Sequence, residues 1–362
     1  MKLLYIVPNI NNEGGVARIL SLKTNYFITQ CGYEVHILTQ NNGNTPLFYS
    51  FHEDVLFHDM QLKGAAPLFA FQYYKALNQY ISLIKPNCIL VCDNGLKAFL
   101  LPFLVRRKIP LLLEIHSSIH VQEHPSSHAV FNSLKQNLQY HFKKYAAQKY
   151  TKVVFLSNES ALEWNVRKKA IIPNPLWFAV NSAAPLSSRK VIAVARNTYE
   201  KGLDRLLPIW KEVVALYPSW KLELYCGNYQ DLEVLARELG IQDSVVFLDP
   251  TKTIQEVYLQ AATYVMTSRY ECFPMVLLEA MAAGVPCVAY DCPCGPRAII
   301  NHCVDGLLVE DGNQDEFIKQ LQLLMRNEML RLEMGKKAQD TSNAYQIEHI
   351  MPEWQKLIKS LK

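Results

Sequence analysis

Residues 268–281 read SRYECFPMVLLEAM and set two glutamates, Glu271 and Glu279, eight positions apart. Glu279 falls in a run, Met275 to Ala283, that is otherwise apolar on every side of a helix, so that helix is expected to be buried. A buried carboxylate without hydrogen-bond donors is costly, so something must donate to Glu279. Upstream, ATYVMT at 262–267 reads as a buried strand. Pro274 suits the first helical turn and Gly284 its end, before another strand from Val285 to Tyr290.

That order of strand, loop, helix and strand places Glu271 just beyond the carboxyl end of a parallel strand, where open α/β sheets bind ligands. The backbone from Phe273 through Pro274 and Met275 to Val276 opens the helix, and helix N-termini favour phosphate. One segment therefore offers a carboxylate for hydroxyls, an anion site and a second carboxylate behind them. Those are the parts needed to hold a nucleotide sugar.

The segment resembles the E-x7-E motif of retaining glycosyltransferases of the GT-B fold, family four, whose bacterial members often build surface polysaccharides. The surrounding EAMAAGVPCVAYDCPCGPRAIINHCVDGLLV (279–309) makes the match specific. By matching position, the resemblance implies that Glu271 contacts the transferred sugar and Glu279 the ribose of the donor nucleotide. One departure stands out: Ala298 occupies a position where relatives usually carry glutamate, which leaves Arg297 without its usual partner.

The rest of the chain fits two domains. At 362 residues it exceeds a usual single core, and short apolar runs alternate with helical patterns throughout. Strands are expected at Leu3–Val7, Val35–Thr39, Ile89–Cys92, Leu111–Ile115 and Val153–Leu156. In the second half they are expected at Val191–Ala195, Leu222–Cys226, Val245–Leu248, Thr263–Met266 and Val285–Tyr290. The expectation is an α/β protein of the GT-B type, two Rossmann-like domains facing across a cleft. Residues 1–172 form the acceptor-side domain, 173–188 a proline- and serine-rich linker, and 189–345 the nucleotide-sugar domain. A helical segment at 346–362 is expected to pack back on the first domain.

Other polar residues stand at strand ends. Arg196 follows the strand Val191–Ala195, and Lys201 comes five positions later. The resemblance puts both cations on the donor diphosphate, where they offset charge on the leaving group. Gly14 and Gly15 lie after the first strand, where a backbone can approach a phosphate closely. Asn-Glu-Gly-Gly-Val-Ala at 12–17 is not a dinucleotide fingerprint, and the resemblance makes it the loop over the donor diphosphate. His116 ends the strand Leu111–Ile115 and resembles the family histidine that contacts a hydroxyl of the transferred sugar. His116, His120, His124 and His128 also recur every fourth residue, as zinc ligands on a helix do, but Pro125 and the flanking serines argue against one helix. The chain has no Asp-x-Asp for a donor-bound cation, so neither a metal nor a cofactor is expected.

Composition bounds the setting. The nine cysteines are odd in number and lack a paired C-x-x-C framework, which fits reduced thiols in a cytoplasm. The opening MKLLYIVP has too short an apolar run for a signal peptide, and no stretch approaches a membrane-spanning length. Residues 1–172 carry 18 Lys+Arg against 10 Asp+Glu (+8), whereas 173–362 carry 19 against 23 (−4). On charge alone a basic half fits an anionic membrane, a nucleic acid or solvated surface. FLLPFLVRRK at 99–108 and the segment Lys135 to Lys149 mix apolar residues with cations, as surfaces on anionic lipid do.

With the resemblance, the reading is a metal-independent retaining glycosyltransferase moving a hexose or N-acetylhexosamine from a nucleotide diphosphate sugar, a UDP-sugar. Its acceptor is a growing surface glycan on a polyprenyl diphosphate carrier. The setting is the cytoplasm, peripheral on the inner face of the cytoplasmic membrane, with no nucleic-acid partner. A GT-B nucleotide-sugar epimerase and a catalytically silent nucleotide-binding relative are the alternatives.

Overall fold

The structure is a computed structural model and describes residues 1–12, 14–43, 46–119, 129–178 and 182–361. The described chain divides into two compact units: residues 1–119, 129–177 and 347–361 form the first, and residues 178 and 182–346 the second. The division falls between Trp177 and Phe178, inside the 173–188 stretch, so the first unit keeps a few residues beyond 172.

The first unit contains β1 (Lys2–Ile6), α1 (Gly15–Thr29), β2 (Glu34–Gln40), β3 (Leu56–Met60), α2 (Ala66–Ile84), β4 (Cys88–Val91), α3 (Leu96–Leu104), β5 (Leu111–Ile115), α4 (Ala129–Ala147), β6 (Lys152–Phe155), α5 (Asn158–Trp164) and β7 (Lys169–Ile171). Its strands form one parallel sheet in the order β3-β2-β1-β4-β5-β6-β7. β4 and β5 are buried along their whole length, which is why they read as apolar runs, interrupted only by Glu114 in β5, rather than as alternation.

The second unit contains β8 (Lys190–Val194), α6 (Leu203–Leu216), β9 (Lys221–Tyr225), α7 (Gln230–Glu238), β10 (Val245–Leu248), α8 (Ile254–Tyr258), β11 (Thr263–Met266), α9 (Met275–Ala282), β12 (Cys287–Asp291), α10 (Pro296–Ile299), β13 (Gly306–Glu310), α11 (Gln314–Arg326) and α12 (Glu328–Ser342). The sheet order is β10-β9-β8-β11-β12-β13, again parallel throughout. Each unit has its own apolar core. Each sheet reverses strand order once, at β1/β4 and at β8/β11, and ligands bind at such reversals beyond the strands' carboxyl ends.

The helix α13 (Ile347–Lys359) follows the second unit in the chain but belongs to the first. It buries Ile350, Met351, Trp354 and Ile358, and the Trp354 ring centroid lies 3.3 Å from Lys23 Nζ. Three strands go beyond those expected. β3 is an edge strand with Leu56 and Phe57 exposed, β7 spans three residues, and β13 opens on Gly306. Each falls short of a buried β-branched run, the pattern that marked the others. Among the described residues, no helix is long and apolar enough to cross a membrane. None of the nine cysteines is in a disulfide.

Candidate active site

In the second unit, the loop between β11 and α9 carries Glu271, 8% exposed. Both of its oxygens accept from Lys201 Nζ, at 2.7 and 2.9 Å, and Oε1 also accepts from Ser268 Oγ at 2.7 Å. Lys201 ends a short 3-10 turn, Tyr199–Lys201, after β8. The two loops are clipped together by Arg269. Its backbone N–H donates to Glu200 O at 2.7 Å, and its guanidinium donates to Tyr199 O at 2.8 Å and to both oxygens of Asp204 at 2.8 and 2.6 Å. This bidentate pairing fixes orientation as well as charge.

Two glycines make the geometry possible. Gly202 has φ +62, and a Cβ there would fall 2.3 Å from Thr267 O. Gly295 has φ +98, and a Cβ there would meet Pro274 Cδ at 2.5 Å and Glu271 Cβ at 3.2 Å. The turn before α10 thus lies directly against the Glu271–Pro274 loop. No side chain but hydrogen fits both the backbone angle and the space.

Glu279 lies in α9, whose residues Leu277 to Ala282 are all buried, and is itself 2% exposed. The expected donor is a tyrosine: Tyr258 Oη, from α8, donates to Glu279 Oε2 at 3.0 Å. Burial, then the Glu279 charge, push the Tyr258 phenol well above its ordinary value, so it stays a donor. Pro274 caps α9 from outside rather than lying in its first turn, and Gly284, at φ +71, follows the helix end. Phe273 is buried, and Met275 and Val276 form the first turn of α9, with amides that no preceding helical carbonyl can accept.

Arg196 follows β8 and is exposed, and its guanidinium makes no hydrogen bond or ion pair among the described residues. Arg297 differs from expectation. It is not partnerless, because Asp291 at the end of β12 takes its guanidinium at 2.8 and 2.5 Å. The carboxylate missing at Ala298 is replaced by one from the neighbouring strand.

In the first unit, Gly14 caps α1 with φ −70, and its N–H donates to Asn12 Oδ1 at 2.9 Å. A Cβ on Gly14 would crowd that oxygen at 2.6 Å, whereas one on Gly15 would meet nothing within 4 Å. His116 directly follows β5, its side chain 6% exposed, and its Nε2 lies 3.1 Å from Glu114 Oε2. It is not on a helix, and His120, His124 and His128 lie outside the described residues. Cys92, Glu114 and His116 bring a sulfur, an oxygen and a nitrogen within 4.8 Å of one another, a donor set that could hold a metal ion. Lys23 Nζ already lies 2.7 and 2.6 Å from the two Glu114 oxygens, so the cation of this cluster is the lysine. Burial opposes ionisation of Glu114, but Lys23 and then His116 outweigh it and hold the carboxyl at about 2.

Sequence reasoning missed Lys23, Glu114, Ser268, Arg269 and Tyr258. Glu114 was detectable as a charge inside the apolar run LLLEI, and Ser268 and Arg269 lay inside the decisive segment. Lys23 and Tyr258 carry no local signal, because their roles depend on residues far away in the chain.

Two Rossmann-like units with parallel sheets define the GT-B fold, the class to which this structure belongs. The solved apo form of the lipopolysaccharide outer core galactosyltransferase WaaB shares it, with a TM-score of 0.79 at 17% identity over 99% of both chains. Residues 179–341 match the family described as glycosyl transferases group 1. An uncharacterized glycosyltransferase of Haemophilus influenzae is 29% identical over 365 residues, covering 99% of each chain. The amylovoran biosynthesis glycosyltransferase AmsD of Erwinia amylovora is 29% identical over 374 residues, again 99% of each. The family match thus falls on the second unit, and both full-length relatives are named glycosyltransferases.

Proposed function

We propose that the chain transfers a hexose or N-acetylhexosamine, with retention and without a metal ion, from a UDP-sugar to a growing surface glycan on a polyprenyl diphosphate carrier. The observation that carries this reading is the Lys201–Glu271 pair at the β8/β11 reversal, beside the opening turn of α9 and the unengaged Arg196. Glu271 binds hydroxyls of the transferred sugar, and Glu279 holds the nucleotide ribose. The amides of Phe273, Met275 and Val276, with Pro274 leaving the turn open, face the diphosphate. Arg196 and Lys201 offset the charge that gathers on the leaving nucleoside diphosphate. Gly14 and Gly15 approach the diphosphate, and His116 contacts a sugar hydroxyl.

No side chain of these motifs is placed as a covalent nucleophile. The bond from the anomeric carbon to the diphosphate oxygen breaks as the acceptor oxygen bonds to that carbon on the same face. The acceptor proton passes to the departing phosphate. The name of the Erwinia relative supports a polysaccharide product. Exposed Leu100, Phe103 and Tyr145 beside Arg106, Arg107, Lys108 and Lys149 support peripheral binding to an anionic inner membrane face.

The test starts with a thermal-shift panel of UDP-, GDP- and ADP-sugars, since a bound donor raises apparent stability by mass action. The stabilising donor is then incubated with a polyprenyl-diphosphate-linked glycan in EDTA, and the product anomer is read by NMR. An inverted product, or free sugar with no glycan extension, would sink the reading.

A further inference from the structure

The first unit carries an aromatic ridge that the proposed chemistry leaves unused. β2 and β3 are joined by residues 41–55, and among the described ones no helix or strand forms. Connections of that length without regular structure are uncommon and usually carry function. This one keeps its aromatic rings at the surface. Phe48 is 40% exposed and Phe57, in β3, 44%, while Tyr49 and Phe51 are half-buried. They meet edge to face in two pairs, Phe48 with Tyr49 at 5.0 Å and Phe51 with Phe57 at 5.5 Å between ring centroids. α1 and α2 cover opposite faces of the sheet, because the right-handed crossovers β1 to β2 and β3 to β4 run in opposite directions along it. His58 packs on Tyr80 of α2, so its neighbour Phe57 points to the α1 face, where the loop lies. Two contacts with α1 hold that loop. The Arg18 guanidinium stacks between the rings of Tyr49 and Trp177, at 5.1 and 4.4 Å. One helical stretch further on, Asn25 Nδ2 donates to Ser50 O at 3.2 Å and Asn25 Oδ1 accepts from His52 N at 2.7 Å. Arg18 and Asn25 lie two turns apart, so the segment follows α1 for about 10 Å, starting one turn from Gly15.

We infer that this ridge is a binding surface for the pyranose rings of an uncharged glycan, apart from the Glu271 site. A pyranose ring presents a face of C–H groups, which complements the electron-rich face of an aromatic ring. Its hydroxyls donate to carboxylates, and Glu53 and Asp54 stand exposed beside the rings. Charge selects this occupant over others. Residues 46–59 hold Glu53, Asp54 and Asp59 and no lysine or arginine, within a half that carries +8. An anionic bilayer or a phosphate is repelled here, which sets the ridge apart from the basic α3–α4 surface. A second copy of the chain, placed two-fold on the same patch, would bring its acidic groups against their own kind. A neutral polyol meets neither penalty.

That these sugars are earlier residues of the growing acceptor rests on the proposed function; the sugar binding itself does not. Saturation-transfer difference NMR without donor tests it, with neutral hexasaccharides of glucose, galactose and N-acetylglucosamine as probes. Sugar ring protons should receive saturation from the unaltered protein. The double variant Phe48→Ser, Phe57→Ser should weaken that binding about tenfold, the scale for losing two stacked rings. A second double variant, Glu53→Gln with Asp54→Asn, alters only exposed polar groups and should weaken it too, so the surface is tested even if the serine variant does not fold. Donor-induced thermal shifts should be equal in all three proteins. Where transfer occurs, KM for a long acceptor should rise in both variants, while kcat and the KM for a single-sugar acceptor stay unchanged. Saturation transfer to none of the probes overturns the inference, as does transfer that both variants leave intact. A dimer in sedimentation velocity, or liposome binding, that the serine variant abolishes would assign the ridge to another occupant and overturn it likewise. Sugar binding that the variants weaken, without any transfer, supports the inference and counts against the proposed reaction instead.

Discussion

Lys201 Nζ sits between the two carboxylate oxygens of Glu271, 2.7 and 2.9 Å away, with the lysine 23% and the glutamate 7% exposed. Two residues 70 positions apart, assigned on separate grounds to the diphosphate and to the sugar, are one ion pair. In the proposed reaction the donor would meet a site whose charges are already mutually compensated, and its diphosphate would have to draw Lys201 partly away from Glu271.

Arg196 and Lys201 should differ in what their loss does. Either change to Ala is expected to lower turnover by about 100-fold or more, the scale for losing a preorganised electrostatic group. Arg196→Ala should leave Tm unchanged, because that side chain is exposed and unpaired among the described residues. Lys201→Ala strands Glu271 and should lower Tm as well. Calorimetry beside turnover measurements checks both, and activity that survives these changes but vanishes with EDTA would show the metal-free mechanism to be wrong.

Glu279→Gln is expected to keep the fold, since Tyr258 can still donate to the amide oxygen. It should weaken nucleotide binding by about 1–3 kcal/mol, the scale of hydrogen bonds to a charged group. Isothermal titration with UDP is the check, and an unchanged affinity would remove the ribose assignment.

Gly295→Ala tests the packing of the site loops. The new methyl would press on Pro274 and Glu271 from a backbone at φ +98. A loss of about 1–3 kcal/mol is expected, the cost of a strained backbone position. Donor binding should weaken alongside. Denaturant melts that match the unaltered protein would mean the turn adjusts freely.

Membrane binding is expected to rest on the α3–α4 surface. Phe103 and Tyr145 stack there at 6.2 Å, and Lys149 lies 4.9 Å from the Tyr145 ring centroid. Lys143 is not part of this surface, for it is buried with its ammonium 5.6 Å from the Phe99 ring, and the side chain of Lys135 lies outside those described. The variant with Arg106, Arg107, Lys108, Lys144 and Lys149 changed to Gln should lose co-sedimentation with anionic liposomes at low salt. Each cation contributes about 1 kcal/mol near such a surface and is screened by salt. Equal recovery of both proteins in the supernatant would leave a soluble acceptor as the better reading.

Acid should find the Lys23–Glu114 pair late. The folded carboxyl, at about 2, lies below the unfolded value of about 4.3, so its contribution is present above the unfolded value and is lost as pH falls towards 2. Glu114→Gln should therefore flatten the stability profile of the unaltered protein between those limits. Parallel urea midpoints for the two proteins across that window would contradict it.

The parts legible beforehand were those that local pattern controls. Fully buried parallel strands such as β4 and β5 announce themselves as apolar runs, and Glu271 and Glu279 stood out because spacing and helix burial are local properties. Edge strands lack that signature: β3 leaves Leu56 and Phe57 to solvent and reads as loop. Partner choice was less legible still. The Asp291 carboxylate that satisfies Arg297, the Tyr258 hydroxyl on Glu279 and the Lys23 ammonium under Trp354 are all set by tertiary packing. Charge patterning misled at Lys143, where a cation in a basic run turned out to be interior.

Because α13 follows the second unit, the ribosome must make all of that unit before the first can be finished. Until then Lys23 lacks the indole that lies over its ammonium, and the surface that buries Ile350, Met351 and Ile358 lies open. The two halves therefore cannot mature one after the other, as sequential beads on a chain do. The second unit can close while the first is still waiting. A premature stop just before Ile347 would spare every residue of the Glu271 site, and its damage would appear instead in the part of the molecule translated first.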